Sequence, residues 1–145
     1  MAERGGFHRV LVAVDGSPVS MRAVDHAARI AASDRAELIA LHVVPAPPSQ
    51  VPGEVADYYE QARQNARRWM REVEAMAAAH AARLRTDIVV GAESVVDAIL
   101  GYAENASADL VVTGTRGTTA SHRILVGSVA SGLVEYGACA VLVVR

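Results

Sequence analysis

Five short runs of mostly Val, Leu, Ile and Ala punctuate the chain: Arg9 to Val14 (RVLVAV), Glu37 to Val44 (ELIALHVV), Thr86 to Val90 (TDIVV), Leu110 to Thr113 (LVVT) and Ala140 to Val144 (AVLVV). None alternates apolar with polar residues as a strand with one wet face does. Continuous apolar runs of this length belong to strands covered on both faces. The segments between them carry apolar residues at spacings of three and four. Strands alternating with helices predict an α/β fold, a five-stranded open parallel sheet with helices on both faces and right-handed crossovers.

The helix signals are local. After the first run, Asp15 and Gly16 predict a tight turn, Ser17 a cap and Pro18 the first helical position, where a missing N–H costs nothing. The helix should reach about Ala32. Met21, Val24, Ala28 and Ala31 share one face, and Arg22, Asp25 and Arg29 lie opposite at pairing distance. Pro45, Pro47, Pro48 and Pro52 predict an irregular loop after the second strand. A long helix is expected from about Glu54 towards Leu84, with Tyr59, Ala62, Ala66, Trp69, Val73, Met76 and His80 forming its apolar stripe. His80, with no accompanying ligand residue, reads as a partnered, partly buried histidine. Gly91 follows the third strand, and Ser94 with Asp97 predicts a capped start to a helix over Val95 to Asn105.

Composition narrows the functional classes. With 14 Lys+Arg against 16 Asp+Glu the net charge is −2, which gives no field to recruit nucleic acid or an anionic membrane. No apolar stretch approaches the ~20 residues of a membrane span. The single cysteine, Cys139, has no partner for a disulfide or a metal cage, and its neighbours suggest an inert, buried thiol. A cytoplasmic setting is expected.

The segment from Thr113 to Val129 (TGTRGTTASHRILVGSV) carries the chemistry. Gly114, Gly117 and Gly127 let backbone amides approach a ligand. Ser128 stands as the N-cap of a short helix, Val129 to Tyr136, with Gly137 placed as its C′ residue. Glycines, amides and a helix N-terminus make an anion site; the same composition also suits a plain surface loop. In open parallel sheets ligands sit beyond the carboxyl ends of the strands where strand order reverses, and Asp15, Val43, Gly91 and Gly114 all lie at such ends.

On these residues the chain resembles the universal stress protein family over essentially its whole length. The opening VLVAVDGS, the LHVV of the second strand, ADLVVTGTRG around the fourth and the closing AVLVV are family-like. The spacing Gly114, two residues, Gly117, nine residues, Gly127-Ser128 is similar to the glycine signature of the ATP-binding branch. The resemblance implies a single domain over residues 1–145 with a Rossmann-like, adenine nucleotide α-hydrolase-like fold. It also implies ATP as ligand, with Mg2+ carried through the nucleotide phosphates. Gly114, Gly117 and Gly127 would approach the triphosphate and ribose, Ser128 and Val129 would offer amides and a hydroxyl, and Thr113 and Arg116 would border the loop. Ala13, Asp15 and Val43 would frame the adenine and ribose, Val43 through its backbone. Asp15 can also be read as a residue stabilising the Gly16 turn, and the binding role is the preferred reading.

The resemblance further implies a homodimer paired through Ala140 to Val144, and an apolar edge strand is a liability unless paired. Ala140 departs from the family's common proline, which leaves one more N–H there. The adenine nucleotide is thus the expected partner, in a regulatory role, with AMP or cyclic AMP as alternatives to ATP. A slow ATPase or autophosphorylating protein, with Ser128 or Thr118 as acceptor, is the enzymatic alternative. The chain has no GxxxxGK[ST] loop, and Arg116, His122 and Arg123 are the nearby cations.

Overall fold

The computed structural model describes residues 5–115 and 126–145. The expected alternation is present as β1 (Arg9–Ala13), α1 (Pro18–Asp34), β2 (Glu37–Pro45), α2 (Pro52–Ala79), β3 (Arg83–Ala92), α3 (Val95–Asn105), β4 (Leu110–Gly114), α4 (Ser128–Tyr136) and β5 (Ala140–Val144). All pairings among the described strands are parallel, in the order β3-β2-β1-β4-β5. The chain therefore winds outward one way from β1 through β2 and β3, returns to place β4 on the other side of β1, and ends on β5.

Side chains alternate across each strand, so the sheet separates two cores. Val10, Val12, Leu38, Ala40, Leu110 and Val112 pack with α1 and α2 through Val24, Ala28, Met70 and Val73. Leu11, Ile39, Leu41, Val43 and Val111 pack with α3 and α4 through Ile99, Ala103 and Leu133. Both faces of the central strands are thus dry, which accounts for their unbroken apolar sequences.

The caps follow from local chemistry. Ser17 Oγ accepts the Ser20 amide at 3.2 Å and Pro18 opens α1; Ser94 Oγ accepts the Asp97 amide at 3.2 Å. His80, at the C-cap of α2, is a partnered histidine whose Nε2 lies 2.7 Å from Asp25 Oδ1 and ties α2 to α1. Asp25 also receives Arg29 at 2.7 Å, whereas Arg22 turns away to donate to the Arg145 carbonyl at 2.9 Å.

Several boundaries differ from expectation. Helix α2 stops at Ala79, and Leu84 belongs to β3, paired with Leu38. The break is made by Ala81 in the left-handed region at φ 58°, a conformation that the alanine-rich segment does not announce. Pro52 is not a loop residue but the first residue of α2, whose N-cap, Val51, has no side-chain cap. Ser128 is likewise the first helical residue of α4 and Gly127 its N-cap, since the earliest rung runs from the Ser131 amide to the Gly127 carbonyl at 3.0 Å. Gly137 caps α4 at φ −67°, not in a left-handed turn. It is glycine because a Cβ would lie 2.5 Å from the Leu133 carbonyl oxygen. Cys139 is half-buried, not buried, and desolvation raises its thiol pKa.

Candidate functional site

Strand order reverses between β1 and β4, and in open parallel sheets the carboxyl ends of two such neighbours are where a ligand crevice lies. On the β1 side, Ala13 ends the strand and the chain turns through Asp15 and Gly16. Asp15 Oδ1 accepts the Ser17 amide at 2.9 Å, and its own amide donates to Ser20 Oγ at 3.3 Å. The turn role expected of Asp15 is therefore present. Gly16 sits at φ +82°, and a Cβ there would stand 2.6 Å from the Trp69 ring, so only glycine passes.

On the β4 side, Thr113 and Thr115 are buried, each 5% exposed. Thr113 pairs with Val143 and Gly114 with Val144. Gly114 has a packing reason to lack a side chain, because a Cβ would lie 2.6 Å from Val19 Cγ1 on α1. Thr115 makes two backbone bonds. The Thr115 amide donates to the Val144 carbonyl at 2.7 Å, and the Thr115 carbonyl accepts the Gly127 amide at 2.5 Å. That bond occupies the Gly127 N–H, one of the amides the sequence offered to a ligand. The amides of Ser128, Val129 and Ala130 precede the first intrahelical rung and form the positive end of α4. Ser128 is exposed and Val129 half-buried. Arg116 and Gly117, and with them Thr118, His122 and Arg123, lie outside the described residues.

Val43, across β1 from β4, is 8% exposed with its side chain in the α3 and α4 core. What it brings to the crevice is backbone. Two residues the sequence singled out only for strand and helix patterning stand beside it. His42 Nδ1 lies 2.7 Å from the Val14 carbonyl, and its ring meets Trp69 edge-on at 4.8 Å and 89°. Burial lowers the His42 pKa, against the upward pull of the Val14 carbonyl and the Asp15 carboxylate. Gly91, at φ +77°, lies within β3, one residue before its end and not after the strand as expected, beneath Tyr59, whose hydroxyl would stand 3.0 Å from a Cβ there. It borders the α2 side and stands apart from the β1–β4 crevice.

Residues 6–145 match the model of the universal stress protein family. The chain belongs to that family. A universal stress protein of Methanocaldococcus jannaschii, MJ0531, is 33% identical over 145 residues, covering 96% of this chain and 82% of its own. Among solved structures, universal stress protein UspA from Lactobacillus plantarum superposes with a TM-score of 0.87 at 32% identity, over 97% of this chain and 99% of its own. A universal stress protein solved in complex with cAMP superposes at 0.70 with 30% identity, over 97% and 98% of the two chains. The five-stranded parallel architecture is thus the family's.

No described helix is long and apolar enough to cross a membrane. Among the described residues no three of His, Cys, Asp and Glu stand together as a metal site.

Proposed function

We propose that the crevice between the ends of β1 and β4 binds an adenine nucleotide, with ATP as the ligand and a homodimer as the working unit of a regulatory, stress-responsive protein. The observation that carries this reading is that three backbone features lie at the carboxyl ends of adjacent strands. These are the Asp15–Gly16 turn after β1, the Val43 backbone near the end of β2, past its last partner on β1, and the unladdered first turn of α4, which Gly127 bonds to Thr115 after β4. A helix N-terminus favours phosphate oxygens, and a strand edge offers the adjacent donor and acceptor that an adenine ring needs. Support for the adenine class comes from the 30% identical relative solved with cAMP.

In this reading Ala13, Asp15 and Val43 hold the nucleoside, while Thr113, Gly114, Arg116, Gly117, Gly127, Ser128 and Val129 surround the phosphates. Mg2+ would ride on the phosphates, with Asp15 as the carboxylate at the β1 end. Binding is favoured over turnover because the sequence offers no Ser/His/Asp arrangement at these strand ends, and Asp15, with Oδ1 accepting the Ser17 amide, serves the turn. Phosphoryl transfer needs a positioned water or nucleophile as well as charge neutralisation. Isothermal calorimetry with ATP, ADP, AMP and cyclic AMP tests the reading: heat with ATP at micromolar affinity is expected, and no heat with any of the four would end it. Steady-state phosphate release above buffer background would replace binding alone by hydrolysis.

A further inference from the structure

The end of β2 carries an interruption of the sheet ladder made by one side chain. Odd-numbered residues of β2 turn their peptide groups towards β1. The Glu37 amide donates to the His8 carbonyl at 3.0 Å, and the Leu41 carbonyl accepts the Val14 amide at 2.9 Å. In a parallel ladder the next rung would run from the Val43 amide to the Val14 carbonyl. That rung is not made. The Val14 carbonyl instead meets His42 Nδ1 at 2.7 Å, and because a carbonyl only accepts, Nδ1 carries the proton.

The His42 ring is held from two further sides. Trp69 stands edge-on to it at 4.8 Å, and Trp69 itself fills the space that the missing Gly16 Cβ leaves. The β1 turn, His42 and α2 therefore form one packed unit behind the strand edge. Its consequence lies on the other side of the backbone, where the N–H and C=O of Val43 face the place β1 has vacated.

We propose that His42 is a positioning residue: by drawing off the Val14 carbonyl it stops the β1–β2 ladder one rung early and keeps the Val43 backbone pair available to a purine edge. The ligand part of this inference rests on the adenine-nucleotide reading above. An N–H and a C=O on one residue match an acceptor beside an amino donor, as on adenine, whereas guanine presents O6 as an acceptor at the amino position.

Two measurements on the full chain keep the parts separate. Without nucleotide, amide hydrogen exchange is compared at Val43 and Leu41. The Val43 amide should exchange about 100-fold faster in the wild type, since only Leu41 is laddered. His42→Ala should close that gap, and His42→Asn, whose amide nitrogen can replace Nδ1 as donor, should restore it. A slow Val43 amide in the wild type, or an unchanged gap in His42→Ala, overturns the role given to His42. With nucleotide, His42→Ala should bind ATP about tenfold more weakly, the worth of one hydrogen bond, and lose preference for ATP over GTP, with His42→Asn near wild type. Wild-type ATP affinity and selectivity in His42→Ala would overturn the ligand part. Failure of the wild type to bind ATP would remove the nucleotide reading itself, and the exchange comparison would still decide whether His42 holds the ladder open.

Discussion

The amide of Thr115 donates to the carbonyl of Val144 at 2.7 Å, so the residue that follows β4 is bonded to the end of the edge strand. Thr115 also accepts the Gly127 amide, which joins β4, β5 and the start of α4 at one residue. Under the proposed function, a ligand at the α4 N-terminus and a partner on β5 act on the two peptide groups that flank Thr115. ATP should therefore tighten the dimer several-fold, and by linkage dimerisation should tighten ATP equally. Sedimentation equilibrium with and without ATP measures this. Thr115→Pro, which lacks the donor, should still dimerise but lose the effect of ATP; equal dimer constants with and without ATP in the wild type would disprove the coupling.

The two sheet edges are built differently, and under the proposed homodimer the difference favours β5 as the pairing edge. Strand β3 exposes Arg83, Arg85 and Asp87, charges that discourage edge-to-edge association, whereas β5 is AVLVV throughout. Because Val144 faces β4, the alternation turns Val141 and Val143 outward and puts the Ala140 amide on the β4 side. The Ala140 N–H thus serves the internal ladder and adds nothing to the open edge. Val143→Pro removes an outward donor while leaving the β4 rungs in place. It should be monomeric in sedimentation with a wild-type near-ultraviolet spectrum, and a dimer of wild-type strength would exclude pairing through β5.

Gly114 offers a test of packing against ligand approach. Alanine there would press Val19 Cγ1 at 2.6 Å and should cost about 1–3 kcal/mol in urea unfolding. Val19→Ala opens the space, so the double variant should be more stable than the sum of the singles predicts. If Gly114 serves packing alone, the double variant recovers ATP affinity together with stability. Recovery of stability without affinity assigns Gly114 a contact with the nucleotide.

Much of this architecture was legible because the strongest signals are local and obey geometry. The unbroken runs located all five strands, although only β1, β2 and β4 are buried on both faces while the edge strands β3 and β5 are partly exposed, and Ser17-Pro18 and Ser94 marked two helix starts. The same reasoning was available at Val51-Pro52, but the surrounding prolines made Pro52 look like loop. The end of α2 was hidden because Ala81 adopts a left-handed conformation with no glycine to mark it. Gly137 and Gly114 were recognised as special positions, yet their reasons are contacts with the Leu133 carbonyl and Val19, which only tertiary packing creates. His42 and Trp69 were invisible as site residues for the same reason: one sat in a strand motif and the other on a helix stripe, and their meeting behind the β1 turn depends on the crossover. Val43 was within reach, since the strand end predicts an open backbone edge, but the side chain that keeps it open was not.

The environment of His42 also sets a pH dependence. Burial lowers its pKa from the model-peptide value of 6.5, and the Val14 carbonyl and Asp15 carboxylate oppose that shift only in part. Above pH 6.5 the imidazole is neutral in the folded and unfolded chains alike, and its contribution to stability is complete. As pH falls below that value the unfolded chain takes up the proton first, so stability drops until the folded-state pKa is passed. Protonation also puts a charge between Trp69 and the Val14 carbonyl. The Asp25 carboxylate, held below its usual 3.8 chiefly by the hydrogen bond from His80, loses its contribution only in more acidic solution, so the two windows separate. Urea midpoints at about pH 7.5, 6.5 and 5.5 should therefore decline in the wild type, and His42→Asn, which does not titrate, should lose His42's share of the decline. An equal decline in both proteins would show that His42 is not the group whose protonation opposes folding in this range.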